Sequence, residues 1–206
     1  MALAVSDMQV IEQIDVAQLA GCEDALSKAA LIVIDTNIGD DALAWLTDAI
    51  DTQELFVDTV STSKALRIKP YLATVHTLKT SRIEAEALSG IAAANQQSLG
   101  EIAGWFHARG VKRVFITLGQ QGVFYSSGEE RGQYRLDTAA TGVRNVGGAG
   151  DAFLAGLACA WLDELSLEES LRLALAAADI TLATPGTNNP ALSRAAIAAR
   201  LEKERG

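Results

Sequence analysis

A continuous apolar run, LIVID at Leu31–Asp35, follows a helical stretch at Val16–Ala30 and is of the kind shown by a strand covered on both faces. The pattern then repeats. A helix opened by Asp40 and Asp41 carries Leu43, Trp45, Leu46 and Ile50 and leads to a second strand at Leu55–Asp58. A helix at Ser63–Tyr71 leads to a third at Val75–Leu78, and helices at Ser81–Ser89 and Ser98–Arg109 lead to a fourth at Arg113–Leu118. Strands separated by helices of this length predict an α/β fold of three layers, α/β/α, with a mostly parallel central sheet and right-handed crossovers. Ligands then belong at the C-terminal ends of the strands. Met1–Val5, short and apolar, reads as one more strand. Gly119–Gly122 turns into Val123–Ser126, which with Gln133–Leu136 predicts antiparallel hairpin structure, and three helices close the chain at Ala149–Leu162, Leu167–Ala183 and Ser193–Glu204.

Composition narrows the class. With 49% hydrophobic and 21% charged residues, a chain of 206 residues suits one well-buried domain spanning 1–206. A net charge of −9 argues against nucleic acid or an anionic membrane surface, since both reward clustered Lys and Arg. Cys22 and Cys159 are far apart in sequence, and Cys159 lies in an apolar helix, so both read as free thiols in a reducing cytoplasm. His76 and His107 have no ligand spacing with them, which argues against zinc. No apolar run approaches the roughly 18 residues of a membrane span. A cytoplasmic location is the expectation.

Asn145–Leu162, NVGGAGDAFLAGLACAWL, carries the chemistry. Gly147, Gly148 and Gly150 precede a run in which Phe153, Leu154, Leu157, Trp161 and Leu162 recur at helical spacing, so a loop turns into a buried helix. The first turn of such a helix offers unpaired N–H groups and a positive dipole end, and glycines let an anion come close. Asp151 follows at once. Donors for a moving phosphoryl group beside a base for the attacking hydroxyl are what phosphoryl transfer needs. The same residues also have a packing explanation, because small residues let a helix start lie close to a sheet and an acid in the first turn is favoured by the dipole alone.

GAGDAF followed by a small-residue helix resembles the signature of the ribokinase-like (PfkB) sugar and nucleoside kinases. The resemblance implies an anion hole at Gly148, Ala149 and Gly150 and a catalytic base at Asp151. It extends along the chain. FVDTVSTSK resembles the Asp-Pro-Val-Ser string of the pseudouridine kinase branch and implies that Asp58, Ser61 and Lys64 lie near phosphates and substrate. On composition alone Asp58 caps a turn and Lys64 is a solvated helix residue. VHTLKTSRIEAE resembles an element that binds nucleotide and magnesium, implying nucleotide contact at Lys79 and a metal role for Glu84; Ser81 stands where the family has Asn. Ser81 and Glu84 also have the spacing of a capping box. ITLGQQGV resembles the family's TLGxxG turn, implying nucleotide contact at Thr117, Gly119 and Gly122, and TNNP implies the same of Asn188, close to the adenine pocket.

The resemblance therefore implies ATP and Mg²⁺ as cofactors, with a monovalent cation as a further option, and a small-molecule sugar or nucleoside as acceptor. It also implies a C-terminal ATP-binding and catalytic portion, N-terminally truncated, lacking the first strands and a β lid. An exposed edge at Leu3–Val5 would favour homo-oligomers. Two central positions depart from the pattern: Asn145 stands for an Asp, and Gly147 for a Thr, a change expected to loosen the anion hole. The leading expectation is an ATP-dependent carbohydrate or nucleoside kinase, similar to pseudouridine kinases, transferring phosphate to a ribosyl 5′-hydroxyl. Its rival is a catalytically inactive remnant that binds nucleotide or a partner. An unrelated dinucleotide-binding domain is disfavoured, because no GxGxxG follows the first strands.

Overall fold

The computed structural model describes residues 9–128, 130–136 and 142–205. The strand expected at Met1–Val5 and the edge at Leu3–Val5 lie outside the described residues. The chain divides into two compact units, Met1–Val114 and Phe115–Gly206.

The first unit is built on parallel strands joined through helices, as the alternation predicts. β1 (Leu31–Asp35) pairs in parallel with β2 (Glu54–Asp58), which pairs in parallel with β3 (Val75–Ser81). The crossover from β1 to β2 is α3 (Asp40–Ala49), whose Leu43 and Leu46 are buried while Asp40 and Asp41 complement the dipole of its first turn. β3 runs into α5 (Arg82–Ser89) and then α6 (Gln96–His107), where Leu88, Ile102 and Phe106 are fully buried.

Val16–Ala30 is not one helix. Asp15 caps α1 (Val16–Ala20), Gly21 ends it, and α2 (Glu23–Lys28) starts afresh after Cys22. Ser63–Tyr71 is a single α-turn, α4 (Thr62–Ala65), followed by a 3₁₀ stretch at Leu66–Thr74. Pro70 inside that stretch has no N–H and would clash with a carbonyl one α-turn back, so an α-helix cannot run through it. β1 is not covered on both faces: Val33 is 48% exposed, and among the described residues β1 stands at the end of the strand order with β2 as its neighbour.

β4 (Arg113–Thr117) begins in the first unit and ends in the second, where it is followed by β5 (Val123–Ser126). β5 pairs antiparallel with β6 (Arg131–Tyr134), Val123 opposite Tyr134 and Ser126 opposite Arg131. This strand was expected at Gln133–Leu136. It pairs from Arg131 because the Ser127 N–H donates to the Glu130 carbonyl and closes the hairpin just before it.

α7 (Ala149–Leu162), α8 (Leu167–Leu182) and α9 (Arg194–Arg205) complete the second unit. α7 is apolar on nearly every side and buries Phe153, Leu154 and Leu157, with Phe153 set edge-on to Phe115 of β4 at 5.9 Å. α7 and α8 approach closely at Gly156, where a Cβ would fall 2.6 Å from the Ala174 Cα. α9 is tied to α8 by a buried ion pair, Arg200 Nε to Asp179 Oδ2 at 2.5 Å.

Candidate active site

In the first unit, the C-terminal ends of β2 and β3 gather Asp58, Lys79 and Glu84. Asp58 and Lys79 face each other in register, and Lys79 Nζ lies 2.7 Å from Asp58 Oδ2 with both residues buried. Asp58 Oδ1 accepts the Val60 N–H at 3.1 Å, so the turn-capping role open from composition is filled. Thr59 is fully buried; its hydroxyl donates to Glu84 Oε2 at 2.6 Å and lies 3.0 Å from the Thr80 hydroxyl. Glu84 Oε2 also accepts the Ser81 N–H at 2.8 Å, and Ser81 Oγ accepts the Glu84 N–H, which completes the capping box at the start of α5.

Ser61 caps α4, its hydroxyl accepting the Lys64 N–H at 3.4 Å. Lys64 is not a solvated helix residue: its Nζ donates to Asn37 Oδ1 at 2.5 Å. Asn37 is held in turn by Asp35, whose two oxygens accept its backbone and side-chain N–H groups. Arg67 donates from one guanidinium nitrogen to the carbonyls of Thr36, Asn37 and Ile38. Asn37 and Arg67 had been missed. The Asp-x-Asn spacing directly after a strand was a turn signal for the first; nothing local in the sequence marked the second.

The second unit holds the other candidates. β4 ends at Thr117, and Leu118 donates its N–H to the Gly122 carbonyl to close the turn over Gly119–Gln121. The two glycines of that turn differ. A Cβ on Gly122, at φ 85°, would fall 2.2 Å from the Tyr134 carbonyl oxygen, so packing accounts for it. Gly119, at φ 60°, has nothing within 4 Å of such a position, and its carbonyl accepts the Gly122 N–H.

At the head of α7, Gly148 is the N-cap at φ 76° and has no side chain to offer the first-turn N–H groups. Among the described residues those of Ala149 and Gly150 therefore have neither an intrahelical partner nor a capping side chain. Asp151 stands in that first turn and is exposed. The turn before it is held by hydrogen bonds from Asn145 and Arg144. Asn145 Oδ1 accepts the Gly147 N–H and Asn145 Nδ2 donates to the Pro185 carbonyl, each at 2.9 Å, while the Arg144 N–H donates to the Leu182 carbonyl. A Cβ on Gly148 would fall 1.7 Å from the Thr187 carbonyl oxygen, so the segment at 182–187 lies directly against the helix head. Asn188 is exposed, whereas its neighbour Asn189 is fastened, donating to the Ile180 carbonyl and accepting the Ala191 N–H.

Among the described residues no three His, Cys, Asp or Glu side chains gather to hold a metal ion. Glu84 has one oxygen already occupied by two donors. These groups suit a magnesium ion that keeps most of its water and takes phosphate oxygens as ligands, and they do not suit a cage of side chains.

The order of these elements and motifs has a match among known proteins. The pattern described as pfkB family carbohydrate kinase matches residues 4–194. The chain belongs to the pfkB family of carbohydrate kinases. Pseudouridine kinase of Escherichia coli K12 is 39% identical over 204 residues, covering 98% of this chain and 64% of that protein. A candidate sugar kinase of Clostridium perfringens has a solved structure that superposes with a TM-score of 0.89 at 29% identity, over 98% of this chain and 64% of that one. Ribokinase of Arabidopsis thaliana, solved in complex with ribose and ATP, superposes with a TM-score of 0.77 over 88% of this chain and 59% of its own, and at 22% identity shares the fold. The chain thus spans under two thirds of the length of these pfkB relatives. Among the described residues no helix is long and apolar enough to cross a membrane.

Proposed function

We propose that the protein works in the cytoplasm as an ATP-dependent kinase that phosphorylates the 5′-hydroxyl of a ribosyl acceptor of the pseudouridine class. The observation that carries this is the head of α7, where an uncapped first turn behind the left-handed Gly148 is joined to an exposed acid, Asp151. Asp151 takes the proton of the acceptor hydroxyl, the freed oxygen forms a bond to the γ-phosphorus of ATP, and the bond from that phosphorus to ADP breaks. The amides of Gly148, Ala149 and Gly150 donate to charge developing on the phosphoryl oxygens. Thr117, Gly119 and Asn188 meet the nucleotide, with Gly122 shaping the turn. Asp58, Ser61 and Lys64 belong to the acceptor side, and Lys79 to the polar cluster behind it.

Glu84 would hold Mg²⁺, reaching it through water. When bound, that ion neutralises phosphate charge. A monovalent cation is a second candidate cofactor. The test is ADP release in a coupled assay with pseudouridine, ribose and common nucleosides, beside Asp151→Ala. Acceptor-dependent release lost in the variant supports the reading; ADP release that no acceptor raises, or that Asp151→Ala leaves intact, refutes it.

A further inference from the structure

Val60 has a positive φ, 57°, which among non-glycine residues described it shares with Glu164. It is the centre of a three-residue turn closed by the Ser61 N–H donating to the Thr59 carbonyl at 2.6 Å. A β-branched side chain is strongly disfavoured there. Such a conformation persists only where its surroundings over-determine it, and it concentrates at functional sites. The surroundings are on view. Thr59 before the turn is buried and pinned through its hydroxyl to Glu84, and the Val60 N–H is held by Asp58 Oδ1 at 3.1 Å. The other oxygen of that carboxylate is held from the neighbouring strand by Lys79 Nζ at 2.7 Å.

We propose that Lys79 and Asp58 are positioning residues: their buried ion pair fixes the carboxylate that braces the strained turn at Val60, and the turn sets where Ser61 and Lys64 stand. An ion pair that only fastened β2 to β3 would leave Oδ1 without a task; here Oδ1 holds the N–H of the turn's central residue while Oδ2 is held by Lys79. The inference rests on the proposed function for what Ser61 and Lys64 meet. It deepens that reading by making Lys79 act through Asp58 and the acceptor side instead of on the nucleotide.

Removing one member alone would leave a buried charge without its partner and endanger the fold, so the test uses two neutral backgrounds. Asp58→Asn with Lys79→Met keeps an acceptor for the Val60 N–H, whereas Asp58→Leu with Lys79→Met has none. Val60→Gly is added to each and melting is followed. Where the brace remains, glycine releases strain and raises the melting temperature by roughly 2–5 °C. Where it is gone the turn has relaxed, and Val60→Gly raises nothing. Equal shifts in the two backgrounds overturn the brace.

The functional half is read by calorimetry with pseudouridine and with ATP, and by KM against kcat in the ADP assay. The Leu background should weaken the acceptor about tenfold and leave ATP unchanged, and the Asn background should restore the acceptor. Loss of ATP affinity instead, or no restoration by Asn, overturns positioning. The melting cycle needs no catalysis, so a brace found in a wild-type chain that binds no nucleotide upholds the brace and refutes the kinase reading.

Discussion

Replacing Gly148 by alanine makes two separate demands on the head of α7. At φ 76° a Cβ costs an L-residue about 1–2 kcal/mol. The same Cβ would fall 1.7 Å from the Thr187 carbonyl oxygen, a backbone atom that cannot swing aside, and overpacking of that kind adds about 1–3 kcal/mol. The total is about 2–5 kcal/mol, and in a chain of this size each kcal/mol lowers the melting temperature by about 2–4 °C. Gly148→Ala should therefore melt roughly 5–15 °C below wild type. Gly90→Ala isolates the backbone share, because Gly90 has nearly the same φ, 75°, with nothing within 4 Å of a Cβ. It should melt about 3–6 °C below wild type. Thermal unfolding by circular dichroism reads both. Any acceptor-dependent transfer should fall about 100-fold in Gly148→Ala, the loss seen when one anion-hole donor is displaced, and stay unchanged in Gly90→Ala. Equal losses of melting temperature would refute the argument that the 182–187 segment fixes the helix head by contact.

Asp151→Ala should keep ATP binding by calorimetry within about threefold while abolishing transfer, since on the proposed reading backbone donors hold most of the phosphate charge; parallel loss of both would disprove that division. Arg200→Met should destabilise the chain by about 3–5 kcal/mol in urea, because Asp179 is 3% exposed and loses its guanidinium, whereas Asp179→Leu with Arg200→Met should recover most of the loss. A double variant no better than the single one would count against this. Burial, with Arg113 and Lys112 adding to it and Glu54 opposing, holds the His76 pKa below the ordinary histidine value. The unfolded chain therefore takes up the proton first as pH falls, so stability is full above about pH 6.5 and declines below it. His76→Phe, which keeps an aromatic ring against Phe56, should flatten the fall in melting temperature between about pH 7.5 and 5.5; an unchanged slope would refute it.

What could be read from the sequence was whatever depends on near neighbours. The order of strands and helices follows from apolar periodicity, and the loop-to-helix start of α7 from its glycines ahead of an apolar run. Ser81 and Glu84 announced their capping box by spacing alone. Features fixed by partners distant in the chain gave no local sign: Asn145 reaches Pro185, Lys64 reaches Asn37, and Arg67 reaches back to the Thr36 carbonyl. The 3₁₀ stretch at Leu66–Thr74 was missed although Pro70 marked it, because the apolar spacing around the proline was still helical. The two glycines of the Gly119–Gly122 turn are alike as letters, and only the position of Tyr134 makes one a packing requirement.

Asn145 has a consequence for charge. Where the pattern it resembles has an aspartate, this chain of net charge −9 places a neutral amide that holds one group by its oxygen and another by its nitrogen. An aspartate at that position could accept the Gly147 N–H but would set an anionic oxygen against the Pro185 carbonyl, a contact that only a proton or a cation could make favourable. The amide needs neither, so the joint behind the helix head keeps its form over the pH range in which carboxylates gain and lose protons. A triphosphate bound as proposed at the first turn of α7 would meet one acidic side chain there, Asp151, and the pull of the dipole on its phosphates would not be weakened by a second fixed negative charge at Asn145.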